Sequence, residues 1–303
     1  MTEPFDIGSD LLPHPSTLII GCGYLGKRVG RLLVGRGDRV FGTSRSRDKA
    51  DALAASGIEP VIAEVTRPET LADLPIVDRI LYCVGFDRSA GQPIRQVYVD
   101  GFKTTLQAIS GRQPSCPIVY ASSTGVYGGD DGDWVDEASP VEPRTESGRA
   151  CFDAEQVLAS HAGPSVILRY AGLYGPGRIM RLESLRKGEP VVGNPDKSLN
   201  LIQIDDAAAV TVRALDDLAG LRLEIFLVSD GHPLFRSEFY GATAELLQAP
   251  SPRFVAPSPG SPEAKREGSN KRVSNRKMIE RWGNILRYPD IRSGLAASLN
   301  AEA

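Results

Sequence analysis

The chain has 303 residues, 41% of them hydrophobic, with 35 Lys and Arg against 38 Asp and Glu for a formal charge of −3. That length buries a substantial core, in one large α/β domain or two lobes. The balanced charge argues against a nucleic-acid or membrane-surface partner, either of which would call for a basic excess. Residues 17–20 form a short apolar run ending at glycine, the pattern of a buried parallel strand. A helix is expected over 24–36, with Leu25, Val29, Leu32 and Leu33 on one face and Gly35 and Gly37 stopping it. A strand at 39–43 and a helix at 48–55 follow. Strands at 61–63 and 80–84 come next, with a short helix near 69–73 between them. An amphipathic helix at 94–109 precedes strands at 117–121 and 166–170.

This alternation predicts an α/β fold, a Rossmann-type doubly wound parallel sheet with right-handed crossovers. Beyond residue 177 the alternation breaks. A helix near 179–187 leads into a loop at 188–198, a helical stretch at 202–218 and a last strand at 224–228. The proline- and serine-rich 249–262 reads as a connection, and 272–299 as helical pieces. The chain therefore divides into a Rossmann domain over 16–177 with a return segment at 200–230, and a smaller, discontinuous substrate-side lobe from 178–199 and 231–299.

No apolar run approaches the roughly 20 residues that span a bilayer. The first fifteen residues have no n-region or h-region of a secretory leader and read as a loose tail. Cys22, Cys83, Cys116 and Cys151 show no metal or disulfide spacing, and His14, His161 and His232 are dispersed. A reducing cytoplasm and no metal are expected.

Gly21-Cys22-Gly23-Tyr24-Leu25-Gly26 carries the chemistry. Gly-x-Gly-x-x-Gly between a strand and a helix is a dinucleotide-binding turn. Gly21 permits the tight turn, Gly23 the approach of the pyrophosphate, and Gly26 close helix–strand packing. The helix N-terminus then favours the phosphate charge. An NAD site places Asp or Glu about 20 residues further on, at the ribose 2′-hydroxyl. Here that stretch reads Thr43-Ser44-Arg45-Ser46-Arg47. Without the acid, and with Arg45 or Arg47 able to pair with a 2′-phosphate, NADP is favoured over NAD. Glu64 and Val65 are expected by the adenine, and Val84 and Gly85 along the pyrophosphate and ribose.

Further motifs carry a resemblance. These are Ala121-Ser122-Ser123-Thr124-Gly125-Val126-Tyr127-Gly128, then residues 168–177 (LRYAGLYGPG), 200–206 (NLIQIDD) and 226–230 (FLVSD). With the glycine turn they resemble an extended, or atypical, short-chain dehydrogenase/reductase of the NAD-dependent epimerase/dehydratase family, in its YeeZ-like branch, over about residues 18–295. The resemblance implies a two-lobed fold holding a nucleotide at the C-terminal edge of the sheet. It also implies a Ser or Thr after the fifth strand, here Ser123, acting with a Tyr-x-x-x-Lys pair on the next helix. Aligned on Ala154-Glu155, Ser147 stands at the tyrosine position and Cys151 at the lysine position, so both groups are replaced. As i and i+4 they are expected on one helix face toward the cofactor. A serine hydroxyl is a far weaker acid than a tyrosine beside an ammonium.

Tyr127, Tyr174 and Arg149 are the substitutes that the motifs offer. Tyr127 is a candidate proton donor, although packing within the Val-Tyr-Gly turn is its expected role. Cys151 reads chiefly as a small apolar residue. The basic run Lys265, Arg266, Lys271, Arg272, Arg276 and Lys277 could receive a phosphorylated or nucleotide-linked substrate, or form a solvated face. Two functions remain open. One is an NADP-dependent oxidoreductase or epimerase on a sugar-like or small carbonyl substrate. The other is a non-catalytic NADP(H)-binding sensor or regulatory protein. In either case a monomer or homodimer is expected, with no nucleic-acid or membrane partner.

Overall fold

Seven apolar segments line up as strands β1 (Ser16–Ile20), β2 (Arg39–Ser44), β3 (Glu59–Ile62), β4 (Arg79–Tyr82), β5 (Ile118–Ser123), β6 (Ser165–Tyr170) and β7 (Glu224–Val228). In the computed structural model, which describes residues 14–261, 264, 267 and 269–301, they form one sheet in the order β7-β6-β5-β4-β1-β2-β3. Every pairing in it is parallel. The expected tail falls almost wholly outside the described residues, as do Lys265 and Arg266. Strand order reverses between β1 and β4, the point at which a doubly wound sheet leaves a crevice beyond its strand ends.

The helices are α1 (Gly26–Gly35), α2 (Arg47–Ala54), α3 (Gly101–Ser110), α4 (Glu146–Leu158), α5 (Leu182–Arg186), α6 (Ile204–Asp216), α7 (Arg236–Leu246), α8 (Arg276–Trp282) and α9 (Ile291–Asn300). Strand alternation divides the core into two layers. Ile19 of β1 packs with Val29 and Leu33 of α1 and with Ala207, Val210 and Ala214 of α6. Its neighbours Leu18 and Ile20 pack on the other side with Phe102 and Leu106 of α3 and Ala154 and Leu158 of α4. At the N-terminal end of the sheet, buried Arg79 donates to Thr17 Oγ1 at 3.0 Å, to Asp38 at 2.7 Å and to Asp216 at 2.7 Å. It thereby ties β4 to β1, to the end of α1 and to the end of α6.

Ile179, Leu185, Val191, Phe239, Tyr240 and Leu295 form a separate core cluster, and very short strands join segments outside the main sheet. Phe254–Val255, inside the stretch expected to be irregular, pairs with Val191–Val192. Arg272–Val273, expected as helix, pairs with Trp134–Val135. Ile202 and Gln203, also expected as helix, belong instead to the strand Leu201–Gln203, which pairs with Gly172–Tyr174 before α6 begins. The helix expected over 94–109 is interrupted by a π-helical turn at Gln96–Asp100 before α3. The segment near 69–73 is a 3₁₀ turn at Pro68–Leu71. Among the described residues no helix is long and apolar enough to cross a membrane.

Candidate functional site

A cavity of about 520 Å³ opens beyond the C-terminal ends of β1 to β4, within the size range of small-molecule and cofactor sites. Gly21, Gly23 and Tyr24 of the glycine turn line it, with Ser44 and Arg45 after β2, Glu64 and Val65 after β3, and Val84 and Gly85 after β4. The structure thus brings together nine of the residues singled out by sequence.

The other three stand apart. Leu25 and Gly26 are buried beneath the turn, and Arg47 is an exposed residue opening α2. In place of Arg47, the lining includes Lys27, Arg28 and Arg31 of α1 and Lys49 of α2. Lys27 and Arg31, and Arg28, occupy the polar face of the helix that the turn opens. Sequence reasoning passed over that i, i+1, i+4 cluster because it looked for the discriminating group only at the end of β2.

The geometry of the turn fits a dinucleotide. Gly21 has φ +88°, and a Cβ there would sit 2.6 Å from the Val84 backbone. Its N–H donates to Thr43 Oγ1 at 2.9 Å. A Cβ on Gly26 would lie 2.9 Å from Ile19 Cγ2 and 3.1 Å from Cys83 Sγ. Gly23 differs from both. The nearest atom a Cβ there would meet is Gly21 O, at 3.9 Å. Its open side faces the cavity, as close approach of a pyrophosphate requires.

The cavity carries five cationic side chains, Lys27, Arg28, Arg31, Arg45 and Lys49, against the carboxylates Glu64 and Asp87. Arg28 pairs with Asp205 at 3.0 Å and stacks 4.4 Å over the Tyr24 ring. Arg45 pairs with Asp87 at 2.8 Å. The Ser89 hydroxyl and then Arg45 draw the Asp87 carboxyl down to about 2. The Tyr24 hydroxyl donates to Pro176 O at 3.1 Å, joining the glycine turn to the segment after β6.

The candidate catalytic residues are more scattered. Ser123 ends β5 half-buried, and its Oγ accepts the Gly125 N–H at 3.0 Å. Tyr127 is 1% exposed, and its hydroxyl accepts from Arg169 at 2.5 Å. Arg169 in turn forms two hydrogen bonds with Glu155, at 3.0 and 2.6 Å. Ser122 Oγ donates to the same carboxylate at 2.6 Å. Burial raises the Tyr127 phenol despite Arg169.

Ser147 and Cys151 have different surroundings although both lie on α4. Ser147 is exposed, 3.2 Å from Thr145 Oγ1. Cys151 packs among Val126, Tyr127, Leu227 and Val273, and burial pushes its thiol up to about 12. The helix is turned so that Gly148, facing Gly125 O, lies against the β5 loop while Ser147 faces outward. Arg149 is exposed. The Tyr174 hydroxyl is buried without a hydrogen-bond partner among the described residues.

The basic run is engaged within the chain. Lys271, instead of being solvated, is buried and donates to Tyr127 O and Ser269 Oγ, each at 2.9 Å. Arg272 donates to Gly132 O at 2.6 Å, Arg276 pairs with Glu280 at 2.7 Å, and Lys277 pairs with Glu224 at 2.7 Å. Among the described residues no group of three or more His, Cys, Asp or Glu is placed to hold a metal.

The family model of the NAD-dependent epimerase/dehydratase family matches residues 17–228. Protein YeeZ of Escherichia coli K12 is 28% identical over 278 residues, covering 90% of this chain and 96% of YeeZ. A solved conserved protein of unknown function from Silicibacter pomeroyi is 30% identical with a TM-score of 0.76, over 95% of this chain and all of the other. The fold is shared more widely. UDP-glucose 4-epimerase of Thermus thermophilus, solved with NAD, has a TM-score of 0.75 at 20% identity, covering 94% of this chain and 99% of its own. With the strand order, the glycine turn and its cavity, these matches show that the chain belongs to the NAD-dependent epimerase/dehydratase family.

Proposed function

We propose that the chain binds NADP(H) in the cavity above β1 to β4 and uses it to reduce or epimerise a small carbonyl or sugar-like substrate beneath the smaller lobe. The charge of the cavity carries this reading. No carboxylate stands at the end of β2, where an NAD site would place one. Three elements instead bring Arg31, Arg45 and Lys49 to the cavity, and a 2′-phosphate is best held by such cations. When bound, the dihydronicotinamide supplies a hydride equivalent, and the chain's task is to bind, orient and move a proton.

Calorimetric titration of NADP, NAD and their reduced forms tests the cofactor. NADP is expected to bind more tightly by tenfold or more, about 1.4 kcal/mol, and R31Q and K49Q are expected to narrow that margin. Tighter binding of NAD rejects it. A second reading, a non-catalytic NADP(H) sensor, draws on the exposed Ser147 and the core-packed Cys151. Tight binding with no NADPH oxidation across aldehydes, diketones and sugar nucleotides would favour that reading.

A further inference from the structure

With Ser147 and Cys151 at the family's tyrosine and lysine positions, the proton donor has to come from elsewhere. One half-buried phenol stands beside Cys151. Tyr98 lies in the π-helical turn Gln96–Asp100, next to Val97, which lines the cofactor cavity. Single π turns within helices recur at functional sites, because the extra residue re-aims the side chains around it. The Tyr98 ring packs edge-on to Phe86, centroids 6.2 Å apart at 74°, and its hydroxyl accepts the Phe86 N–H at 3.2 Å. Phe86 directly follows Val84 and Gly85 of the cavity wall, so the phenol is fixed where β4 ends.

Two groups act on Tyr98 from other elements, Cys151 of α4 and the Arg178 cation that follows the Gly-Pro-Gly loop. Arg178 also lies 5.4 Å over the Tyr24 ring of the glycine turn. The phenols of Tyr82 and Tyr120, on the sheet, also couple to Tyr98 electrostatically. Tyr82, Tyr120, Tyr127, Tyr170 and Tyr174 are all buried in the core.

We propose that Tyr98 is the proton donor at this site and that Arg178 takes the place of the missing lysine ammonium. This rests on the NADP(H)-dependent reading above. When a substrate carbonyl carbon accepts the hydride, the C=O π pair moves onto oxygen. That oxygen takes the proton of Tyr98 Oη, and the phenolate recovers one from water. The two electrons come from the dinucleotide, which ends oxidised. Burial and Cys151 raise the phenol above its usual range, with the Phe86 N–H and Arg178 acting against them. Tyr98 is therefore protonated at neutral pH, as an acid in a reduction must be.

The test compares wild-type protein, Y98F and R178Q. Each is examined by NADPH fluorescence titration, by single-turnover oxidation of bound NADPH with small aldehydes and α-diketones, and by ultraviolet titration of phenolate. Y98F is expected to keep its NADPH Kd within about twofold while losing roughly 10²–10⁴ in turnover, the usual range for a general acid. The wild-type minus Y98F titration isolates Tyr98. The pH midpoint of its ionisation should move down when NADP⁺ brings a cationic ring nearby, and up in R178Q with recovery in R178K.

Turnover of Y98F at the wild-type rate overturns the proposal. If no carbonyl oxidises NADPH in the wild type, the reductase reading fails by itself and the titration decides the placement of Tyr98. A shift with NADP⁺ supports that placement, and an unmoved phenol overturns the proposal whatever the turnover.

Discussion

Gly23→Ala should separate cofactor binding from folding. The Gly23 backbone is not in the left-handed region, so alanine fits its conformation. The added Cβ meets nothing closer than Gly21 O at 3.9 Å. Unfolding free energy is therefore expected to change by no more than about 0.5 kcal/mol, as at an unstrained surface site. In the complex the same methyl stands where the pyrophosphate approaches. Displacing it weakens charge-assisted hydrogen bonds to the helix N-terminus worth about 1.5–3 kcal/mol each. The Kd for NADP(H) should rise at least tenfold, about 1.4 kcal/mol. Gly26→Ala is the internal control. Its Cβ is driven to 2.9 Å from Ile19 Cγ2 and 3.0 Å from Gly21 O, and overpacking of that kind costs about 1–3 kcal/mol. Urea denaturation and calorimetry on the two variants check both halves. A Gly23→Ala protein that binds NADP(H) within twofold of wild type refutes the assignment, as does one destabilised as much as Gly26→Ala.

Other features lead to further expectations. Glu155→Gln strips the counter-charge from Arg169, which is 3% exposed, and should cost about 3–5 kcal/mol in urea denaturation. Glu155→Leu with Arg169→Met should cost clearly less, and equal losses would remove the case for a coupled pair. Asp230 is buried, and burial pushes its carboxyl up from 3.8 to about 7. Its contribution to stability is complete below about pH 4 and lost as pH rises through 7, on the order of a few kcal/mol. Asp230→Asn should therefore raise Tm over wild type at pH 8 with the gap closing near pH 4, and a gap independent of pH contradicts this. Burial pushes the Cys22, Cys116 and Cys151 thiols up to about 12 and Cys83 well above its usual range. At pH 8 a disulfide reagent should label the native protein roughly 10³-fold slower than a free thiol with its pKa near 8.5. Rapid modification of any one of the four would show that its surroundings are misjudged.

The central sheet was readable because most of its strands carry a buried apolar run, and the glycine turn because it stands between a strand and a helix. The two-residue strands were not readable. Arg272–Val273 has no strand character without Trp134–Val135, 138 positions earlier in register. Helix α7 escaped because Phe239, Tyr240, Ala242, Thr243 and Ala244 are all buried, leaving no one-sided apolar stripe to detect. At the site, the backbone-determined positions Gly21, Gly23, Val84 and Gly85 were legible, since position in the motif fixes them. Arg47 against Lys27, Arg31 and Lys49 was not, since the direction of a side chain over a cavity depends on how α1 and α2 lie across the sheet. Tyr98 had no sequence signal of its own. Its importance comes from Phe86, Cys151 and Arg178, which only the fold brings to it.

The pairing of Arg272–Val273 with Trp134–Val135, and the Lys271 bond to Tyr127 O, bear on the order in which the molecule matures. Domains generally form as units during synthesis, the earlier-made part first. The glycine turn and β1 to β5 have all been made by residue 123, ahead of the α6 layer that packs on α1. The segment holding Tyr127 and Trp134 gains its partners only some 140 residues later, when 271–273 has left the ribosome. Throughout that interval the residues of the glycine turn are already made while the segment at 127–135 still lacks its partner strand.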